Sequence, residues 1–398
     1  MSPTNICETA NLSTTKLLQT SMPSSINIAL LSTYPPTQCG LATFTAALFE
    51  QLSLSPGQVD VVRVLDKIDD RPQPKEVIAQ LINGSPTSAA AAVQKLNTYD
   101  AVIVQHEYGI YGKRDGIDVI EIIEGVSVPT IVVLHTVLLD PTRRQRRILE
   151  RIIDAAGIIV TMAETARARL ETQYGVDPSR ILVIPHGAID HRSHRVTRST
   201  GLRPLILTWG LLGPGKGIEW AIDAMVDLRD LMPRYLIIGK THPKVLERKG
   251  EDYRRSLIAR ANALGVADLV EFDSNYIELG DLANLVESAD LILLPYDSPD
   301  QVTSGVLIEA VAAGRPVVST AFAHAVELLS GGSGLIVNQR DPKAISLAVR
   351  RVLSEPGLAE AMANKAANQA PSLVWGAVAE RYRSVAMTLV TEGLVVAS

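Results

Sequence analysis

The sequence predicts an α/β protein built from two Rossmann-like domains that face each other across a cleft. Short runs of β-branched residues alternate with helical patterns, which is typical of parallel sheets. These runs form two series of similar size, and a polar, Arg-rich stretch separates them. The 398 residues also exceed what one ordinary hydrophobic core accommodates, which favours two domains.

The predicted strands of each half are short and apolar. The first half contains INIALLS (26–32), VDVVRVL (59–65), AVIVQH (101–106), TIVVLH (130–135), GIIVTM (157–162) and ILVIP (181–185). The second half contains LILTWG (205–210), RYLIIGK (234–240), LVEFDS (269–274), LILLPY (291–296), RPVVST (315–320) and SGLIV (333–337). The expected organisation is a disordered Ser/Thr-rich tail (1–25), a first domain (26–190), a linker (191–204), a second domain (205–375) and a helix that crosses back to the first domain (376–398).

Composition excludes several classes of protein. The net charge of −5 argues against a general nucleic-acid binder, which would usually be basic. No apolar run approaches the roughly 20 residues of a membrane span. The N-terminal tail lacks the basic start and apolar centre of a signal peptide. The two cysteines, Cys7 and Cys39, have no metal-binding or disulfide spacing, so a cytoplasmic protein is expected. No pattern indicates an oligomeric state.

In parallel α/β sheets, ligands bind beyond the carboxyl ends of the strands, so the residues that follow each strand are the candidates. In the first half, Gly40 would let the backbone approach a ligand just before a helix begins. His106, Glu107 and His135 end two neighbouring strands. We favour a functional role over a purely structural one, and we discount zinc because no pair has the spacing of a zinc motif.

In the second half, the segment GLLGPGK (210–216) matches all but the last position of a phosphate-binding P-loop. That position needs Ser or Thr, and Gly217 stands there, so an NTPase is not favoured. A glycine-rich turn, a helix N-terminus and Lys216 still predict an anion site, the alternative being a solvated lysine. Lys240 and His242 follow the next strand and would add positive charge.

A carboxylate inside the apolar run of residues 302–313 needs a partner, because burying a lone charge is costly. Thr303 or Ser304 is expected to cap a helix that runs to about residue 313, before Gly314. Its first amide groups favour an anion such as a diphosphate. Glu309, about one turn in, would then accept hydrogen bonds from ligand hydroxyls. The alternative is an ion pair with a basic neighbour.

Taken together, these residues resemble glycosyltransferase family four, the retaining nucleotide-sugar enzymes of GT-B fold, over about residues 26–385. Glu309 and the following AAGRPVV are similar to the family's second Glu and the strand after it, while Gln301 replaces its first Glu. Lys216-Gly217 fits the family's phosphate loop, in which Leu211 replaces an Arg. IPHG (184–187), His135, Glu327 and Trp375 resemble further family positions, and their order strengthens the likeness.

The resemblance implies transfer of a hexose from a nucleoside diphosphate sugar to a hydroxyl of a glycan or small glycoside, with mannose from GDP-mannose slightly favoured over glucose from UDP-glucose. Glu309 would bind the ribose, and Gln301 and His135 would contact the donor sugar. Gly40 would let its loop close on the diphosphate. The cations Lys216 and Lys240, with the amides of Thr303, Ser304, Gly305 and Val306, would stabilise the leaving diphosphate. No cofactor or divalent metal is expected. A nucleotide-sugar epimerase or a non-catalytic nucleotide-sugar sensor remains the alternative.

The segment PTRRQRRILERII (141–153) predicts a helix whose apolar residues Ile148, Leu149, Ile152 and Ile153 point inward. Its arginines would then lie on a solvated face. Peripheral contact with an anionic membrane surface, or with a polar acceptor, is the alternative.

Overall fold

The structure is a computed structural model that describes residues 25–191, 203–275, 279–298 and 302–397. Most of the predicted tail, the linker residues 192–202 and the candidate Gln301 therefore lie outside the described residues. The predicted fold class is confirmed, because the chain forms two parallel sheets with helices between most successive strands.

The first domain contains a seven-stranded parallel sheet in the order β3-β2-β1-β4-β5-β6-β7. Its strands are β1 (Ile28–Ser32), β2 (Val59–Leu65), β3 (Val77–Ile82), β4 (Ala101–His106), β5 (Thr130–Leu134), β6 (Ile158–Thr161) and β7 (Ile181–Val183). Its helices are α1 (Gly40–Leu52), α2 (Pro86–Leu96), α3 (Asp118–Gly125), α4 (Arg143–Ala155) and α5 (Glu164–Tyr174).

The second domain contains a six-stranded parallel sheet in the order β10-β9-β8-β11-β12-β13. Its strands are β8 (Leu205–Trp209), β9 (Arg234–Ile238), β10 (Val270–Asp273), β11 (Leu291–Leu294), β12 (Val317–Thr320) and β13 (Gly334–Val337). The helices of this half are α6 (Ile218–Ala224), α7 (Pro243–Lys249), α8 (Asp252–Ala263), α9 (Leu279–Ser288), α10 (Gly305–Ala312), α11 (Ala323–Leu329), α12 (Pro342–Ser354), α13 (Leu358–Gln369) and α14 (Trp375–Ala397).

Strand β3 is the one strand of the described chain that the sequence pattern did not reveal. It lies at the edge of the first sheet and pairs with β2 alone. Five of its six residues are only partly buried, so it lacks the continuous apolar character of a central parallel strand.

The last helix, α14, packs against α1 of the first domain. Val378, Ala379, Tyr382 and Ala386 of α14 share a buried cluster with Phe44 and Leu48 of α1. The chain therefore passes between the domains twice. The two passages run side by side, because the Ala188 amide donates to Leu373 O (2.8 Å) and the Trp375 amide donates to Ala188 O (2.9 Å).

Helix α4 begins at Arg143 behind a Thr142 capping box, in which the side chains of Thr142 and Gln145 each accept from the other's backbone amide. The four apolar residues predicted to point inward are buried, as expected. Among the described helices, none is both long and apolar enough to span a bilayer.

Candidate active site

Lys216 lies in the glycine-rich loop between β8 and α6. Its Nζ is 4.2 Å from the centroid of the Tyr296 ring, where the ring's quadrupole attracts a cation. Tyr296 follows β11 and stacks on Phe322, with ring centroids 5.1 Å apart. The ammonium group therefore lies over the face of the Tyr296 ring, which Phe322 packs against, near the carboxyl ends of the strands.

Gly217 explains why this loop is not a P-loop. Its φ of 61° is in the left-handed region, and a Cβ atom there would collide with the Pro295 carbonyl oxygen. The structure thus requires glycine at the position where a P-loop needs a hydroxyl that holds magnesium.

Helix α10 presents its N-terminus at the same edge of the sheet. Ser304 is the N-cap, as predicted, and its Oγ accepts from the Leu307 amide (3.2 Å). The Ser304 amide in turn donates to Nδ1 of His324 (3.0 Å). Burial lowers the pKa of His324 to about 4, so the imidazole is neutral and can accept. His324 therefore holds the cap of this helix, and with it the position of its first amide groups.

His186 brings the first domain against the start of α10. Its Nδ1 lies 2.6 Å from Gly187 O, and its ring packs on Phe44 and Trp375, with centroids 5.1 and 5.3 Å away. A Cβ atom on Gly305 would lie 2.8 Å from His186 Nε2. The contact between the two halves of the molecule is therefore close enough to require glycine at position 305.

Glu309 has partners within the protein. Its Oε2 accepts from the Ile189 amide (3.2 Å), and its Oε1 is 2.8 Å from His191 Nε2. The Glu309 side chain is 14% exposed, and that of His191 only 6%. The basic neighbour considered from the sequence therefore exists. It does not exclude a ligand, because a carboxylate offers about four lone-pair sites, and these two contacts use one on each oxygen.

His135 follows β5, and Gln105 orients its ring. Its Nε2 is 2.7 Å from Gln105 Oε1, so Nε2 carries the hydrogen and Nδ1 is left as an acceptor. Burial, with a smaller effect of neighbouring His186, lowers the pKa of His135 to about 3. The ring is thus neutral and suited to accept from a hydroxyl.

The expected cluster of His106, Glu107 and His135 is only partly realised. The His135 amide donates to His106 O (3.0 Å), so the two backbones are neighbours. Their rings, however, lie on opposite faces of the sheet, His106 with Tyr108 and Tyr111 and His135 with Phe44. The reason is the two-residue alternation of a strand, which sends His106 to the face opposite Gln105.

Two further contacts link loops of the two domains. Lys240 Nζ donates to Gln38 Oε1 (3.1 Å), just before Gly40, the first residue of α1. Gly40 is exposed and has no heavy atom within 4 Å of the place a Cβ would occupy. On the other side, Glu327 accepts from the amides of Glu164 (2.9 Å) and Thr165 (3.2 Å), which begin α5.

Residues 191–369 match the family described as "Glycosyl transferases group 1". The matched segment is a little under half of the chain, and it is similar to this family. A D-inositol 3-phosphate glycosyltransferase of Actinosynnema mirum is 28% identical over 244 residues, which cover 58% of this chain and 57% of that protein. The chain thus matches little more than half the length of this curated relative.

The solved structures similar to this chain show its fold. A glycosyltransferase of Rickettsia africae has a TM-score of 0.73 at 15% identity and covers 92% of this chain and 98% of its own. The Anabaena Alr3699/HepE complex with UDP has a TM-score of 0.71 at 16% identity and covers 90% and 99%. These likenesses support the predicted GT-B arrangement.

Sequence reasoning missed three histidines that shape the site. His186, His191 and His324 contact the start of α10 or Glu309. His186 lies in the IPHG turn, but that motif does not indicate which residues the histidine contacts. A single histidine in a loop has no local pattern that reveals a contact with a distant residue. The contact of His191 with Glu309, for example, joins residues more than a hundred positions apart.

Gly305→Ala is expected to lower the stability of the protein. The new methyl group would lie too close to His186, which two aromatic rings and Gly187 O hold in place. Overpacking of this kind costs about 1–3 kcal/mol. Thermal melts of the variant and of wild type test this.

Gly280→Ala is the matched control for that variant, because Gly280 is an exposed helical residue with open space around it. We expect it to be neutral or to stabilise by up to about 1 kcal/mol. Equal losses in the two variants would contradict the role assigned to the contact between Gly305 and His186.

Proposed function

We propose that this protein transfers a hexose from a nucleoside diphosphate sugar to a hydroxyl acceptor, with retention of the anomeric configuration. The observation that carries the proposal is the arrangement at the second domain. Lys216 is supported by Tyr296 beside the glycine-rich loop, α10 begins at the same edge of the sheet, and Glu309 lies about one turn further along it. A cation, helix amides and an acceptor of hydroxyl hydrogens suit the diphosphate and the ribose of one nucleotide.

The leaving group gains negative charge as the bond between the anomeric carbon and the phosphate oxygen breaks. Lys216 and the amides of Thr303, Gly305 and Val306 would stabilise that charge. The Ser304 amide, expected from the sequence to join them, is already engaged, because it donates to His324 Nδ1. The acceptor oxygen forms the new bond on the same face, and its proton passes to the departing phosphate oxygen. His135 Nδ1 would accept from a hydroxyl of the donor sugar, and Gln301 would contact the same sugar.

Lys240 is proposed to compensate for Leu211, which stands where the family has an arginine. The two loops are joined by backbone hydrogen bonds, because the Leu212 amide donates to Lys240 O (2.8 Å) and the His242 amide donates to Leu212 O (2.8 Å). Lys240 therefore belongs to a loop bonded directly to the one that carries Leu211, and it already reaches Gln38 of the first domain. Its ammonium would bind the diphosphate while Gly40 lets the loop of the first domain approach.

The donor is the first feature to test. Family use favours GDP-mannose, whereas the similar Anabaena structure is a complex with UDP, so UDP-glucose is its direct competitor. A thermal-shift series with GDP, UDP and their sugars should show a rise in Tm with the true donor nucleotide, since binding stabilises the native state. The acceptor would be a glycan or small glycoside. The two isolated cysteines favour the cytoplasm as the compartment.

Product analysis then separates the alternatives. A transferase consumes the donor only when a hydroxyl acceptor or water takes the sugar. A nucleotide-sugar epimerase would invert the sugar without transfer, and a sensor would bind without turnover. Binding of no nucleotide, at concentrations up to millimolar, would contradict the proposal.

Activity is expected to persist in excess EDTA. The charge of the diphosphate would be balanced by Lys216, Lys240 and the helix amides rather than by a divalent cation. The measurement is the initial rate with and without EDTA, after extensive dialysis. A loss of rate that magnesium or manganese restores would contradict this expectation.

A further inference from the structure

His191 lies between two carboxylates where the chain leaves the first domain. Its Nε2 is 2.8 Å from Glu309 Oε1, and its Nδ1 is 2.8 Å from Glu287 Oε1. The side chains of His191 and Glu287 are only 6% and 8% exposed. A buried imidazole with a carboxylate on each ring nitrogen is an arrangement that the proposed chemistry does not use directly.

The geometry determines the charge of the ring. A carboxylate oxygen only accepts hydrogen bonds, so both short contacts are favourable when both ring nitrogens carry a hydrogen. That form is the imidazolium. Burial alone would lower the pKa of His191, but the hydrogen bonds to Glu309 and Glu287 outweigh it and raise the pKa above its ordinary value.

The position of the triad connects it to the linker. His191 is the last described residue before 203, and Ile189 also donates its amide to Glu309. Ala188, just before, pairs with the returning chain at Val374. Glu309 therefore holds the first passage between the domains through two separate hydrogen bonds, one from a side chain and one from the backbone.

We propose that His191 is a positioning residue whose imidazolium, held by Glu287, orients Glu309 for the nucleotide and makes nucleotide affinity dependent on pH. This inference rests on the proposed function, since Glu309 is the proposed ribose ligand. Loss of the proton leaves one N–H for two carboxylates. One contact must then break, and the lone pairs of Glu309 are no longer fixed.

Several groups of the described structure lie close to the triad. Glu287 belongs to α9, and Glu309 belongs to α10. His186 lies near Glu309. Burial lowers the pKa of His186 overall, and the charge of Glu309 opposes part of that effect. Arg315 donates to the Glu287 carbonyl oxygen (2.9 Å). Asp190 is the chain neighbour of His191.

The deciding variant is Glu287→Gln, which touches no proposed ligand. A glutamine amide can donate to Nδ1 of a neutral imidazole, so His191 keeps both contacts without the extra proton. Affinity for UDP or GDP, whichever binds more tightly, is measured from pH 7 to 9.5. We expect wild-type affinity to fall about three- to tenfold over this range. Glu287→Gln should keep the affinity that wild type shows at pH 7, and His191→Gln should be weak and insensitive to pH.

The charge state is measured without nucleotide, by ¹⁵N NMR of labelled histidine. A resonance pair typical of imidazolium at pH 7 should be present in wild type and absent in His191→Gln. Glu355→Gln, which changes an exposed acid paired with Arg351, is the control and should behave as wild type.

The stability of the protein should also depend on the protonation of His191. Because the folded pKa is raised, the contribution is complete below about pH 6.5 and is lost as pH rises through the folded value.

The outcomes separate the inference from the function. A neutral His191 at pH 7, or identical pH profiles for wild type and Glu287→Gln, would overturn the inference while nucleotide binding stands. An imidazolium in a protein that binds no nucleotide at any pH would remove the proposed function, and with it the coupling.

Discussion

Lys216→Met is expected to lower kcat by about 10²- to 10³-fold, the loss typical of removing one group that stabilises a developing negative charge. The ammonium lies 4.2 Å from the Tyr296 ring centroid, and methionine keeps the length of the side chain but not its charge. Steady-state kinetics with the identified donor provide the measurement. KM for the donor should change less than kcat, because the charge is greatest in the transition state.

Two further variants sharpen this test. Lys216→Arg should recover part of kcat, since a guanidinium also stacks on an aromatic ring and carries the charge. Lys249→Met removes a lysine from the last turn of α7 and should leave kcat unchanged. Equal rates for wild type and Lys216→Met would show that Lys216 is a solvated surface lysine, which is the alternative given in the sequence analysis.

Glu309→Gln is expected to reduce nucleotide affinity by about ten- to a hundredfold, because a hydrogen bond to a charged group contributes roughly 1.5–3 kcal/mol. The variant should also lower the melting temperature of the protein without ligand. The contacts with Ile189 and His191 each need an oxygen of Glu309 that accepts a hydrogen bond. Glutamine replaces one of these two oxygens with an NH₂ group, which donates.

A nucleotide that lacks the ribose hydroxyls separates the two effects. The 2′,3′-dideoxy nucleotide should bind wild type about as weakly as the normal nucleotide binds Glu309→Gln, and the variant should not distinguish the two. Such a double cycle isolates the contact from the general cost of the mutation. A variant that loses stability but binds both nucleotides as wild type does would show that Glu309 only anchors the linker.

The strands were predictable because parallel strands are buried on both faces and read as short apolar runs. Their ends were less so. The run 291–296 was predicted as a strand, but β11 ends at Leu294, where the chain turns to bring Tyr296 under Lys216. Edge strand β3 was missed because exposure on one side removes the apolar signal.

Parts of the site were predictable where a residue type favours one structural role. Thr303 and Ser304 before an apolar helix indicated the cap, which the structure places at Ser304. The anion site beside Lys216 stays a prediction. The partners of these residues were not predictable. Glu309 and His191 are 118 residues apart, and their contact depends on how two domains and a linker meet, which no local pattern records. In the sequence, Gly217 was only a departure from the P-loop pattern. Its backbone geometry in the structure explains why the position is a glycine.

The return of α14 to the first domain has a consequence for the order of folding during synthesis. Helix α1 leaves the ribosome roughly 300 residues before α14, which corresponds to about 15–60 s at common rates of elongation. Throughout that interval Phe44 and Leu48 lack the partners Val378 and Tyr382 that cover them in the finished protein. The domain that begins synthesis is therefore the last to be completed.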